Sequence, residues 1–230
     1  MKVKSMKKAI ISCAVFEPYL KHLLKSRDDI SSIVFLEVKQ HNHPEQLAIL
    51  LQDEISRIQD VDEILVMYGL CGNAILPLRS SGIPVRLLKV HDCGMVLSGS
   101  RQRYKELFAH RLSQSYACAA YDVLDSAENY RMSLEYLRIK QEYGEDNAEY
   151  VLEMLHKPKN ETTVYFDFGL DEDQQFLRRN LDRPLEVVAG GWQMMQDFID
   201  GKDKDSVVLN KNEALFALYD LDEVFVSKEK

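Results

Sequence analysis

Three thiols and an imidazole sit at the ends of apolar runs, and they are the groups of this chain best suited to chemistry. Cys13 closes the run Ala9-Ile10-Ile11-Ser12-Cys13, Cys71 follows Glu63 to Tyr68, and His91 and Cys93 follow Val85 to Val90. Side chains one residue apart in an extended segment point the same way, so His91 and Cys93 can address one ion. Three thiolates and an imidazole make a tetrahedral zinc set, with bonds near ~2.3 Å to sulfur and ~2.0 Å to nitrogen. With one position open, zinc brings a bound thiol or water to a pKa near ~7 and so makes a nucleophile. The spacing lacks the paired C-x-x-C knuckles of zinc fingers, so the set depends on separate strand ends meeting. Two other readings stay open. In one, Cys71 and Cys93 act without metal as a redox pair or reactive thiolate activated by His91; in the other, the four residues hold a structural metal in a non-catalytic module. Cys118, in Ser115-Tyr116-Ala117-Cys118, reads as core.

The elements that must position these groups read as alternating strands and helices. Strands are expected at Lys8 to Val15, Ser32 to Val38, Glu63 to Tyr68 and Val85 to Val90. Helices are expected at Pro18 to Lys25, Pro44 to Ile58, a short Asn73 to Leu78 and Leu97 to Leu112. Continuously apolar strands alternating with helices predict an α/β fold: an open, mostly parallel, Rossmann-like sheet with helices on both faces. In such sheets the loops after the strands line the ligand crevice, and these are the loops carrying the thiols. A less regular α/β C-terminal half follows. It has a charged helical stretch from Ala127 to His156 with Gly144 as a break, and Tyr130, Leu134, Leu137, Tyr150, Leu152 and Leu155 as inward positions. Beyond it come strands at Thr162 to Phe168, Leu185 to Ala189, Ser206 to Leu209 and Glu223 to Ser227, and helices at Asp171 to Arg179 and Trp192 to Ile199. At 230 residues the expectation is a single α/β domain over 1–230, with a lobe boundary near 157–160.

Beside the thiols, Glu17 and Asp92 are candidates to orient a ligand or act as a base, although capping or solvated carboxylates are the plainer reading. Ser98, Gly99, Ser100 and Arg101 offer either an anion- or substrate-binding helix start or an ordinary N-cap. His41 and His43 before Pro44 read as a helix entry, and Trp192 as a packing aromatic. There is no G-x-x-x-x-G-K, G-x-G-x-x-G or G-x-S-x-G motif. A net charge of −8 argues against a nucleic-acid surface. No apolar run approaches the ~20 residues that span a bilayer, and the basic start leads into a run too short for a signal peptide, so a cytoplasmic location is expected.

Taken together, Cys13, the run Tyr68-Gly69-Leu70-Cys71-Gly72-Asn73, His91-Asp92-Cys93, Gly99-Ser100 and Tyr104 resemble the signature of the uncharacterised DUF1638 family. The resemblance covers residues 8 to 112 and loosens after Leu112. It implies no settled activity. Its members are often encoded near corrinoid-dependent methyltransferases in anaerobes. That association implies one-carbon or methyl-transfer metabolism, a small-molecule ligand or thiol substrate, and a corrinoid or methyltransferase protein as partner.

Overall fold

The computed structural model describes residues 6–110, 115–121, 134–156, 162–202, 204–218 and 223–229. The chain divides into two compact units, 1–112 with 189–230, and 113–188. The segment 157–160, expected as a lobe boundary, lies outside the described residues.

The first unit is built on a five-stranded sheet in the order β2-β1-β3-β4-β8. Its strands are β1 (Lys8–Cys13), β2 (Ile30–Leu36), β3 (Glu63–Met67), β4 (Val85–Leu88) and β8 (Ser206–Leu209). The first four run parallel and β8 closes the edge antiparallel to β4. Every residue of β1, β3 and β4 is buried, Lys8, Glu63 and Arg86 among them, as in a parallel sheet covered on both faces. The α/β fold with a mostly parallel sheet is thus the one the strand spacing predicts.

Helix α1 (Glu17–Leu23) joins β1 to β2, and α2 (Pro44–Arg57) joins β2 to β3, each with proline in its first turn. The two connections run in opposite directions from β1, so right-handed crossovers put their helices on opposite faces. The point where the direction reverses, between the carboxyl ends of β1 and β3, is where open α/β sheets leave a crevice.

After β4 come α3 (Cys93–Ser98) and α4 (Arg101–Phe108). The single helix expected over Leu97 to Leu112 is therefore broken at Gly99, whose φ of 84° ends α3. Gly99 also meets Gly191: a Cβ on Gly191 would stand 2.3 Å from the Gly99 Cα, so only glycines allow this crossing. Asn73 to Leu78 forms turns rather than a helix, because Cys71, Gly72 and Asn73 all take positive φ and aim the chain away from a helical path. A helix α8 (Gln193–Ile199) and an antiparallel hairpin of β9 (Glu213–Ala217) and β10 (Phe225–Glu229) complete the unit.

The second unit holds a three-stranded sheet of β5 (Tyr116–Ala117), β6 (Thr163–Asp167) and β7 (Leu185–Ala189), in that order. It also contains α5 (Leu134–Tyr143), α6 (Glu145–His156) and α7 (Asp171–Arg179). Gly144 breaks the helical stretch at φ 89°, as expected. The inward stripe is corrected at Leu137 and Tyr150, which are 49% and 61% exposed, with Tyr136 and Ala148 buried instead; Leu152 is buried as expected. The break at Gly144 resets the helical phase, so one stripe cannot be extended across it. Tyr130 and the side chains of Leu134 and Leu155 lie outside the described residues. Cys118 is fully buried, as a core residue should be. No described helix is long and apolar enough to cross a membrane.

Candidate functional site

The sheet register brings the first two thiols to one edge. Ser12 pairs with Met67 across β1 and β3, so Cys13 and Tyr68 emerge side by side one step further on, at the reversal point. Two loops are then tied together. Leu70 N–H donates to the Val90 carbonyl at 2.9 Å, and Cys71 N–H to the His91 carbonyl at 3.5 Å. Gly69 makes this approach possible, since a Cβ there would lie 2.9 Å from the His91 oxygen and 3.0 Å from the Asp92 backbone. Cys71 has φ 44°, unusual for a residue with a side chain and of the kind held at functional loops.

The electrostatics report the same convergence. Burial, then the charge of Cys93, pushes the Cys13 thiol up to about 12, against the opposing pull of the Val15 backbone and the Tyr68 hydroxyl. Burial, followed by Cys93 and Cys13, likewise raises Cys71. Tyr68 is raised by burial and then by Cys13, Cys71 and Cys93. Cys13, Cys71 and Cys93 thus neighbour one another around the Tyr68 hydroxyl, and none of the three is in a disulfide. That hydroxyl is the polar neighbour of Cys13, yet it completes no hydrogen bond of normal geometry among the described residues. Among those residues no three His, Cys, Asp or Glu side chains are placed to hold a metal ion. The donor set itself, thiols grouped with an imidazole-bearing loop, has the chemistry zinc favours.

Asp92 caps α3, accepting from Met95 N–H at 3.1 Å through Oδ1, while Oδ2 accepts from the Tyr104 hydroxyl at 2.9 Å. Burial and Asp92 raise the Tyr104 pKa. His91 is half-buried and contributes its carbonyl to the loop tie. Glu17 lies in the first turn of α1 and pairs with Lys21 at 2.6 Å.

The family model described as "Protein of unknown function (DUF1638)" matches residues 35–199. The chain belongs to the DUF1638 family. The matched span takes in Cys71, His91 and Cys93 and leaves Cys13 before its start. It continues well past residue 112, through the segment where the resemblance was expected to loosen. No curated protein and no solved structure matches this family member.

The Ser98 to Arg101 segment is engaged internally. Ser98 Oγ donates to the Met95 and Ser100 carbonyls, and Ser100 Oγ caps α4 by accepting from Arg103 N–H. Arg101 pairs with Asp205 at 2.8 Å, and Arg103 donates to the Ser98 and Ala189 carbonyls. These contacts tie the C-terminal segment to α3 and α4. Exposed His41 and His43 flank the entry to α2, and half-buried Trp192 stacks on His22 at 5.2 Å. Tyr68 and Tyr104 are the polar groups at the site that residue types alone did not select. The available signal was a tyrosine directly following the apolar run Ile64 to Met67.

Proposed function

We propose that Cys13, Cys71 and Cys93, with His91 as the fourth candidate ligand, form a zinc-binding thiolate centre at the reversal point of the sheet. The observation that carries this reading is the gathering of three thiols, from three separate strand ends, around one buried hydroxyl. A redox pair needs a thiol held as thiolate, yet Cys71 and Cys13 are pushed the other way, by burial and then by Cys93. A bound cation reverses that balance, and grouped thiols that repel as thiolates are what a divalent ion would compensate.

Zinc held there would act as a Lewis acid toward a soft ligand, so a thiol-bearing small molecule is the matching substrate class. Methyl transfer to or from such a thiol fits the chemistry, with a corrinoid or methyltransferase protein as partner. On the protein side, the Gly69 approach and the Leu70 and Cys71 hydrogen bonds hold the two ligand-bearing loops in register. Asp92 fixes the start of α3 and with it the backbone of Cys93.

The test is elemental analysis of anaerobically purified protein beside Cys93→Ser. Near one zinc per wild-type chain, lost in the variant, is the expected result. A wild-type chain free of zinc, iron, nickel and cobalt, and unable to take them up, overturns the proposal.

A further inference from the structure

The five-stranded sheet ends on two strands, β2 and β8, and the chain treats them differently. At β8 the hairpin of β9 and β10 supplies a partner, Ser227 Oγ donating to the Val208 carbonyl at 3.1 Å. At β2, among the described residues, no strand pairs on the side away from β1. A strand so placed turns half of its backbone N–H and C=O groups outward, as a template for another strand. Folded chains blunt such edges with lysine, proline, a bulge or a covering element. Here Ile30-Ser31-Ser32-Ile33-Val34-Phe35-Leu36 holds no charge and no proline. Its register against β1 slips once, at Ser31, and then runs regularly from Ser32 beside Ala9 to Leu36 beside Cys13. Ile33, Val34, Phe35 and Leu36 are each only half-buried, whereas β1 next to them is buried throughout.

We infer that the outer edge of β2 is the docking surface for a second copy of this chain, the two β2 strands pairing antiparallel across a two-fold axis. The regular stretch Ser32 to Leu36 is complementary to itself in that arrangement. Centred on Val34, it sets Ile33 of each copy opposite Phe35 of the other, so two aromatic to β-branched pairs lie side by side on one face. On the other face Val34 meets Val34, and each small Ser32 meets a large Leu36. One step further out Glu37 meets Ser31, so no like charges oppose each other from Ser31 to Glu37. A closed two-fold contact also uses up both edges at once and leaves none for further growth. The surface is independent of the metal reading and stands whether or not zinc binds.

A contact made by one short strand falls at the low end of interface sizes, under about 1,200 Å², so the dimer is expected to be reversible with Kd of roughly micromolar order. Sedimentation of the full chain over about 1 to 100 µM should show monomer converting to dimer. Hydrogen exchange should slow in residues 30–36 as concentration rises, while β1 and β3 stay unchanged. Val34→Lys sets two like charges face to face at the axis and should weaken dimerisation by about tenfold or more, with part of the loss recovered at high salt. The exchange measurement needs no substitution and decides the matter if the variant fails to fold. A chain that stays monomeric across this range overturns the inference. So does a dimer whose exchange in residues 30–36 ignores concentration, or one that a folded Val34→Lys variant leaves intact, since another surface would then be holding it.

Discussion

The two ends of the same central strands treat polar groups in opposite ways. At the amino ends, Lys8, Glu63 and Arg86 are buried charges with dedicated partners. Arg86 pairs with Glu63 at 2.9 Å and with Ser206 at 3.0 Å, while Lys8 donates to the Ile199 carbonyl at 2.7 Å and lies 3.8 Å from Asp29. At the carboxyl ends, Cys13 and Cys71 are raised first by burial and then by Cys93, and Tyr68 first by burial and then by Cys13. A charged pair inside the fold must be matched or it destabilises strongly, whereas neutral thiols can be left unmatched at little cost. The amino end is therefore fastened and the carboxyl end is left ready for a charge. This is the division expected when stability is placed at one end of an α/β sheet and the ligand crevice at the other.

The sharpest way to break the comparison is Arg86→Met. It leaves Glu63, only 3% exposed and with Oε2 already lacking a partner, as an uncompensated buried carboxylate. Urea unfolding should show a loss of about 3–5 kcal/mol, with most of it recovered when Glu63→Leu is added. Metal uptake of the folded variant should match wild type. A loss below about 1 kcal/mol would mean that the amino end is not the fastened one.

A smaller effect is expected at the opposite end from Gly69→Ala. The added Cβ stands 2.9 Å from the His91 carbonyl oxygen and 3.0 Å from the Asp92 Cα and nitrogen, all backbone atoms that cannot swing aside. The loops bearing Cys71 and Cys93 must separate, at about 1–3 kcal/mol by the measure of other overpacked sites. Here the change should register in zinc content as well as in stability, the reverse of the Arg86 result. A variant that keeps full zinc content would show that the loop tie is not what positions the thiols.

How much of this division is visible in sequence depends on which signals are local. Strand ends are local: Ile10, Ile11, Leu65, Val66 and Leu87 form runs that place Cys13, Cys71 and Cys93 on one edge without any knowledge of pairing. The Tyr68 hydroxyl was not legible, because having no partner is a property of the packed state. The turns after Cys71 were misread as a helix because the apolar spacing of Ile75 and Leu78 is helical while the positive φ values of residues 71 to 73 decide the path. Strand β9 went unseen because only Ala214 and Leu215 of its five residues are buried, and Phe216 is 46% exposed on the hairpin. The Gly99 to Gly191 contact joins residues too far apart in the chain for spacing to suggest it.

The smallest expected effect sharpens the amino end through pH. Asp29 lies beside Lys8 and takes two hydrogen bonds from the Arg27 guanidinium, at 2.8 Å and 2.7 Å. Those bonds, ahead of the Arg27 and Lys8 charges, hold its carboxyl below the ordinary range despite the opposing effect of burial. In the unfolded chain the same group titrates near ~3.9. The folded state thus binds this proton more weakly than the unfolded state. The stability it contributes is full above the unfolded value and is lost as pH falls through the depressed folded one. Arg27→Met removes the cause of the depression, so the variant should start less stable at pH 7 and lose less further stability on acidification below about 4. Urea midpoints at pH 7 and at successive acid steps would show two curves converging toward low pH. Parallel curves would mean that Arg27 fastens this end through packing of its stem against the chain and not through its charge on Asp29.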